Sequence, residues 1–273
     1  MEFYRKNSRE KKRWLTSKKN NRYLVKKLYN RDAIHIFNNK DQFNKVFKDF
    51  IRRDWIFTPE HSREEILSFI EKYQEVIVKP SDGALGIGVY KLHMNEYDKL
   101  NLLLDKISQG ESFMVEQPII QHRVMAKLNP TSVNTIRVMT MIDANNQIHI
   151  IDTVAKAGMS TSCVSNTLSG GVCCHIDNRT GIIDGQGYTM FGERIFIHPI
   201  SGVVIPGFQL PNWGGVCDFA KKLAAVVPGG RYIGWDIVIL ENGYEVIEGN
   251  IHPGQDFQAG TGIGRWKDIK LLI

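Results

Sequence analysis

Three oxygen-bearing side chains stand out between Gly234 and Asn250: Asp236, Glu248 and Asn250. They interrupt two apolar runs, Ile237-Val238-Ile239-Leu240 and Val246-Ile247. Hard oxygen donors on adjacent strands suit Mg2+, and Mg2+ with few protein ligands usually shares its shell with substrate phosphates. The chemistry implied is the handling of a magnesium nucleotide. The plainer alternative is a half-exposed hairpin whose acids face water, because a motif is a hypothesis until its context confirms it.

A phosphate grip would supply that context. Val76-Ile77-Val78-Lys79-Pro80 is a short apolar strand that delivers a lysine, and Lys79 is followed by Ser81-Asp82-Gly83-Ala84-Leu85-Gly86-Ile87-Gly88. Gly83, Gly86 and Gly88 would let backbone N–H groups approach an anion closely and form a concave nest. The Lys79 ammonium adds a compact positive charge suited to phosphate oxygens. No Gly-Lys-Ser/Thr closes the segment, and a strand, Val89-Tyr90-Lys91-Leu92, follows it where a dinucleotide fingerprint would have a helix. A glycine-rich hairpin loop alone is ordinary; together with a distant carboxylate trio it becomes specific.

These residues need elements to hold them. Side chains alternate across a strand. A three-residue loop, Glu241-Asn242-Gly243, would set Asp236 opposite Glu248, with Asn250 on the same face. A two-residue Asn242-Gly243 loop would set Asp236 against Gly249 instead. The sequence therefore predicts the three-residue loop. Upstream, Ser62 and Glu65 form a capping box for a helix to about Tyr73. A helix over Asn95–Ser108 leads to a strand at Phe113–Gln117. Strands are expected at Asn134–Ile142, Ile148–Lys156, Gly170–Ile176 and Ile182–Gly187, and a helix at Phe219–Val227 before the acidic hairpin.

In this order the motifs resemble the ATP-grasp superfamily. Asn39-Lys40 looks like its first phosphate lysine, and Val78-Lys79-Pro80 like its second, ahead of the glycine-rich flap. Phe113-Met114-Val115-Glu116-Gln117-Pro118-Ile119 resembles the hinge strand that meets adenine. Asp152-Thr153-Val154-Ala155-Lys156 resembles a later strand bringing a base toward the phosphates, and Pro253-Gly254 follows the last metal ligand as in D-alanine ligases. Leu128-Asn129-Pro130-Thr131-Ser132-Val133-Asn134-Thr135-Ile136-Arg137 is similar to the sugar-transfer-associated branch, whose members accompany bacterial surface-polysaccharide genes.

The resemblance implies an α+β ATP-grasp fold, two α+β lobes sandwiching the nucleotide behind a short basic helical segment. The expected division is 1–35 for that segment, 36–118 for the smaller lobe with the flap, and 119–273 for the larger lobe with the metal site. ATP and Mg2+ are the implied cofactors. Lys40, Lys79, Ser81, Gly83, Gly86, Gly88, Glu116, Gln117, Ile119 and Lys156 are the implied nucleotide contacts. Asp236, Glu248 and Asn250 are the implied metal ligands, and Lys79, Lys156 and Arg137 the catalytic cations. The implied reaction is ATP-dependent carboxylate–amine ligation through an acyl phosphate, joining an amine or amino acid to a sugar acid or related carboxylate. A phosphotransferase on the same cradle and a noncatalytic nucleotide-binding protein are the alternatives.

Two departures from the family concern the substrate side. The segment before Lys40 is short for the α/β domain that usually precedes the fold, so that domain is expected to be absent or vestigial. D-alanine ligases also place an arginine two residues before the first metal aspartate, where this chain has Gly234; Arg137 or Arg231 would have to stand in. An arginine inside an apolar strand, as at 137, is costly to bury without an anionic partner, so a structural ion pair is the competing role.

Composition agrees with a globular enzyme of 273 residues. There is no run of eighteen apolar residues and no apolar signal core at the N-terminus. Cys163, Cys173, Cys174 and Cys217 have no metal-ligand spacing, and reduced, packed thiols in a cytoplasmic protein are expected. Residues 1–27 carry eleven Lys/Arg and two Glu, a net +9 against −3 for the rest, with Trp14, Leu15, Tyr23 and Leu24 interleaved. Such a helix could dock on the protein, lie on anionic lipid at the inner face of the membrane, or, the least favoured reading, bind nucleic acid.

Overall fold

The computed structural model describes residues 7, 9, 18–81, 86–159, 170–189, 191–253, 258 and 264–273. Gly83, Gly254, Trp14, Leu15 and Cys163 lie outside the described residues. The chain forms two antiparallel sheets with helices on their outer faces.

The smaller sheet has the order β1-β4-β2-β3, formed by β1 (Trp55–Phe57), β2 (Glu75–Pro80), β3 (Tyr90–His93) and β4 (Phe113–Glu116). Along β2, Val76 and Val78 point to one side and are fully buried, under Ile66 and Ile70 of one helix and Leu100, Leu103 and Leu104 of another. Those helices span Arg63–Tyr73 and Tyr97–Ser108. The first starts at the expected capping box, with the Ser62 hydroxyl accepting from the Glu65 N–H and the Glu65 carboxylate from the Ser62 N–H. The alternate residues Glu75, Ile77 and Lys79 face the opposite side, which is left open.

The larger sheet has the order β11-β10-β5-β6-β7-β8-β9. Its strands are β5 (Thr135–Ile142), β6 (Ile148–Gly158), β7 (Gly171–His175), β8 (Gly187–Tyr188), β9 (Arg194–Ile195), β10 (Tyr232–Leu240) and β11 (Gly243–Asn250). One face carries Ile136, Val138, Ala155, Ala157, Ile237 and Ile239, packed with Val216, Ala220 and Leu223 of the helix Trp213–Val226. Burying each Ile, Val or Leu among them contributes roughly 1.5–3 kcal/mol. On the other face, Met139, Met141, Val154 and Tyr232 are covered at one end by Leu24, Leu28 and Ile269. These come from the N-terminal helix Lys18–Leu28 and the helix Trp266–Leu272. Within the described part of the basic segment, Leu24 and Leu28 thus dock on the protein. Cys173 and Cys174 point to opposite faces of β7 and both are buried.

Three expectations are corrected. Ile182–Gly187 is not a strand: Ile183 bridges Ile176 while Ile182 bridges Gln209, so no continuous ladder forms. Trp213 presses on Gly181 there, leaving no room for a Cβ. The helix placed at Phe219 begins at Trp213. Gly215 within its first turn is needed because a Cβ there would fall 1.9 Å from the Tyr244 hydroxyl, which donates to the Asn212 carbonyl.

The third correction concerns the hairpin. Asp236 does lie opposite Glu248, but the turn is the two-residue Glu241-Asn242, with Leu240 paired to Gly243. The register shifts farther along, where Ile237 pairs Val246 and Asp236 pairs Glu248, leaving Ile247 as the extra residue of a bulge. Tertiary contacts hold the short turn. The Glu241 carboxylate accepts from the Arg123 N–H at 2.7 Å, at the start of the helix Arg123–Leu128. Arg52 donates to the Asn242 carbonyl at 2.6 Å, and Gly243, at φ +125°, leaves the space its guanidinium fills.

Candidate nucleotide and metal site

A cleft of about 890 Å³ opens between the exposed faces of the two sheets. From the small-sheet side it is lined by Lys79, Ser81, Gly86 and Glu116, and from the connection after β4 by Gln117 and Ile119. From the large-sheet side come Arg137, Lys156, Asp236, Glu248 and Asn250, and Lys40 enters from the helix Lys40–Val46. All the expected site residues within the described residues line this cleft except Gly88. That glycine, at φ +74°, packs a Cβ-free backbone against Pro80 and turns the chain into β3.

Strand pairing brings the acidic end together. Arg137 on β5 is the register partner of Asp236 on β10, and Glu248 on β11 pairs with Asp236 from the other side. Arg137 grips Asp236 with two charged hydrogen bonds, Nε to Oδ1 at 2.5 Å and Nη2 to Oδ2 at 2.7 Å. The Lys156 Nζ stands 3.7 Å from Asp236 Oδ1, and Arg137 Nη2 lies 3.9 Å from Glu248 Oε1. Asn250 donates to Glu248 Oε1 at 3.1 Å.

The two carboxylates are driven apart in acidity. Burial would raise Asp236, but Arg137 and then Lys156 outweigh it and hold Asp236 well below the usual carboxylate range. Burial, and then the charge of Asp236, push Glu248 upward against the pull of Arg137. The Glu248 side chain nonetheless keeps 51% of its surface exposed, so its oxygens remain accessible within a wall of protein. Asp236 is the more acidic of the two carboxylates and Glu248 the less acidic.

Of the two arginines that could replace the missing one at 234, only Arg137 lines the cleft. Arg231 lies just before β10 and donates to the Ile142 carbonyl at 2.9 Å. A Cβ on Gly234 would fall 2.9 Å from Arg137 Cδ and 2.8 Å from Pro253 Cβ. Gly234→Ala is therefore expected to displace the Arg137 side chain and cost about 1–3 kcal/mol, as overpacking does. Denaturant titration and a structure of the variant check both parts.

At the other end, Glu116 is a buried hub. Its Oε2 accepts from Lys79 Nζ at 2.5 Å and from Arg53 Nε at 2.8 Å. Burial opposes its ionisation, yet Arg53 and Lys79 lower it to about 2. The carboxylate is turned onto these cations. Lys40 Nζ donates to the carbonyls of Pro80 (2.7 Å) and Ser81 (3.1 Å), at the root of the glycine segment. The cleft lining also includes the apolar side chains of Ile77, Val89, Ile119 and Ile247. Val246 points into the core and Ile247 and Glu248 both line the cleft, which a regular strand would forbid; the bulge permits it.

Sequence reasoning missed Arg53 and Ile247. Arg53 carried no local signal, because its partners Glu116 and Glu245 lie 63 and 192 residues away. Ile247 read as an ordinary strand residue because the bulge was not foreseen.

Among the described residues, no group of three or more His, Cys, Asp or Glu side chains could hold a metal ion. Two carboxylates and an amide are the thin, hard-oxygen donor set that Mg2+ takes when phosphates complete its shell, so the residues present fit the ion.

A small antiparallel sheet facing a larger one across a cleft lined by lysines from both sheets and by the Asp236, Glu248 and Asn250 side chains of the larger is the arrangement of the ATP-grasp class. The sugar-transfer associated ATP-grasp family matches residues 19–269, and the chain belongs to it. No curated protein is detectably similar to the chain. Among solved structures, the fold resembles the ATP-grasp ligase PsnB, determined with a phosphomimetic variant of its minimal precursor, Mg and ADP. That match has a TM-score of 0.54 and 15% identity, covering 89% of this chain and 61% of that one. D-alanyl-alanine synthetase A from Vibrio cholerae matches with TM-score 0.53 and 11% identity, over 89% and 62% of the two chains. The ADP complex of purK, N5-carboxyaminoimidazole ribonucleotide synthetase, matches with TM-score 0.55 and 11% identity, over 89% and 55%. The chain thus spans about three-fifths of the length of the PsnB and synthetase structures.

Proposed function

We propose that this chain is an ATP-dependent carboxylate–amine ligase that works through an acyl phosphate. Residues 36–118 serve as the nucleotide lobe and 119–273 as the lobe of the acidic site. The observation that carries the reading is the convergence of Asp236, Glu248 and Asn250 with Arg137, Lys156 and Lys79 on one cleft. Ile77, Ile119 and Ile247 would hold the base, and Lys79, Lys156 and Arg137 the triphosphate, with Lys40 bracing the root of the glycine segment.

Mg2+ bound by Asp236, Glu248 and Asn250 would offset the repulsion between an incoming carboxylate and the triphosphate. Lys79, Lys156 and Arg137 add positive charge where the transferring phosphoryl oxygens would lie. A carboxylate oxygen attacks the γ-phosphorus and ADP leaves. An amine nitrogen then attacks the acyl carbon, loses a proton, and phosphate departs. Exclusion of water once the substrates fill the cleft would protect the acyl phosphate from hydrolysis. We assign the substrates to the amino acid or amine and sugar-acid classes, in surface-polysaccharide assembly at the cytoplasmic side.

The test is incubation of the protein with Mg·ATP and paired panels of uronic acids and amino acids, read by ADP release and mass spectrometry. An amide product with stoichiometric ADP is expected. A stable phosphate ester would make the protein a phosphotransferase. Absence of any ADP beside retained nucleotide binding would leave it a noncatalytic nucleotide-binding protein.

A further inference from the structure

Arg53 is nearly fully buried, in the short connection before β1. Its guanidinium reaches two carboxylates on different sheets. Nε donates to Glu116 Oε2 at 2.8 Å and Nη2 to Glu116 Oε1 at 3.3 Å, at the end of β4 in the small sheet. Nη1 donates to Glu245 and, at 3.2 Å, to the Val246 carbonyl on β11 of the large sheet. Glu116 in turn holds Lys79. The result is a buried chain of alternating charge, Glu245, Arg53, Glu116, Lys79, running from the acidic-site strand to the lysine at the mouth of the glycine segment.

We propose that Arg53 is a positioning residue for nucleotide binding, fastening the strand that carries Glu248 and Asn250 to the strand end that presents Lys79. This rests on the magnesium-nucleotide reading of the cleft. Two features make the bridge functional in consequence as well as structural. First, Glu245 and Glu248 are three residues apart on β11 with the Ile247 bulge between them, so the bridge anchors the strand next to the bulge that sets the acidic site. Second, if Lys79 turns from Glu116 to a phosphate, Arg53 still donates two hydrogen bonds to that buried carboxylate, so Glu116 is not left without a cationic partner. A lysine at 53 could not do the same, since one ammonium lacks the planar fork that spans two carboxylates.

The charged groups facing Glu116 are Arg53 from the connection and Lys79 from β2, with Glu245 of β11 behind Arg53. With Arg53 gone, Lys79 alone opposes the burial of Glu116. Its carboxyl then titrates at a higher pH than in the native protein, where Arg53 and Lys79 together outweigh burial.

The experiment is calorimetric titration of the full chain with Mg·AMPPNP, at several pH values, for wild type, Arg53→Lys and the double variant Arg53→Met/Glu245→Gln. The double variant removes the bridge without stranding Glu245. It is expected to melt near the wild type yet bind Mg·AMPPNP on the order of ten- to a hundredfold more weakly, the scale of a lost charged hydrogen bond. Its affinity relative to wild type should fall further as pH drops from 7 to 5. Arg53→Lys should fold and recover only part of the affinity. Wild-type affinity with a wild-type pH profile in the double variant overturns the role of Arg53 and leaves the nucleotide reading standing. If the double variant does not fold, wild-type affinity in Arg53→Lys overturns it instead. Failure of the wild type itself to bind Mg·AMPPNP sinks the nucleotide reading, and the inference with it.

Discussion

Glu248→Gln is expected to melt at a higher temperature than the wild-type protein at pH 8 and to form no detectable ADP. The two effects have opposite signs and one cause. Glu248 faces the Asp236 carboxylate, and burial and then that charge raise its pKa in the nucleotide-free protein. The unfolded chain gives up this proton at the ordinary value of about 4.3. Above that pH the folded state retains a proton the unfolded state has released, or holds two like charges together, so stability is lost as pH rises. Glutamine keeps the shape and removes the titration. The stability gain should therefore be present at pH 8 and shrink toward pH 4. Activity falls because a hard anionic oxygen that would hold Mg2+ becomes a neutral amide; losing one preorganised group of this kind costs about 10²–10³-fold or more in turnover. Differential scanning fluorimetry across pH and an ADP assay read the two halves. A variant with wild-type turnover, or one destabilised at pH 8, contradicts the roles given to the pair.

Arg137→Met should be the most damaging single change to folding in the cleft. It leaves Asp236 buried with its nearest recorded cation, Lys156, at 3.7 Å. Removing one partner of a buried ion pair costs about 3–5 kcal/mol. The sign with pH is the reverse of that for Glu248. Asp236 is held below its ordinary value, so the pair contributes stability above about pH 4 that is lost as pH falls below it. The penalty for Arg137→Met should be full at pH 7 and diminish in acid. Arg137→Met/Asp236→Asn should regain much of the stability. It should not regain activity, because the guanidinium proposed to face the phosphoryl group and one carboxylate proposed to hold the metal are both gone. Chemical denaturation at pH 4 and pH 7 measures the first statement. If Arg137→Met alone were as active as the wild type, Arg137 would be a structural partner only.

The lining of the cleft was legible in sequence where residue type alone suggests chemistry. Asp236, Glu248 and Asn250 read as hard-oxygen donors, Lys79 as a phosphate lysine, and the Ser62–Glu65 box as a helix start. Each is a local pattern whose physics is complete within a few residues. The opposition of Asp236 and Glu248 was also foreseen, but through the wrong device. A three-residue loop and a two-residue loop with a bulge give the same pairing at 236 and 248. Choosing between them depends on Arg52 against Gly243 and Glu241 against Arg123, contacts across the fold that periodicity does not contain. Arg53 was invisible for the same reason. Gly234 looked like the loss of a functional arginine. In the fold its missing Cβ is the space through which Arg137 reaches Asp236.

The central claim is that the cleft holds a magnesium–triphosphate between its lysines and its acidic strand pair, and a crystal structure of the wild-type chain with Mg2+ and AMPPNP tests it most directly. The account predicts metal density within about 2.0–2.1 Å of oxygens from Asp236, Glu248 and Asn250. Lys79 and Lys156 should lie on the phosphates and the adenine beside Ile247. A nucleotide bound elsewhere, or a metal coordinated without these three side chains, would contradict it.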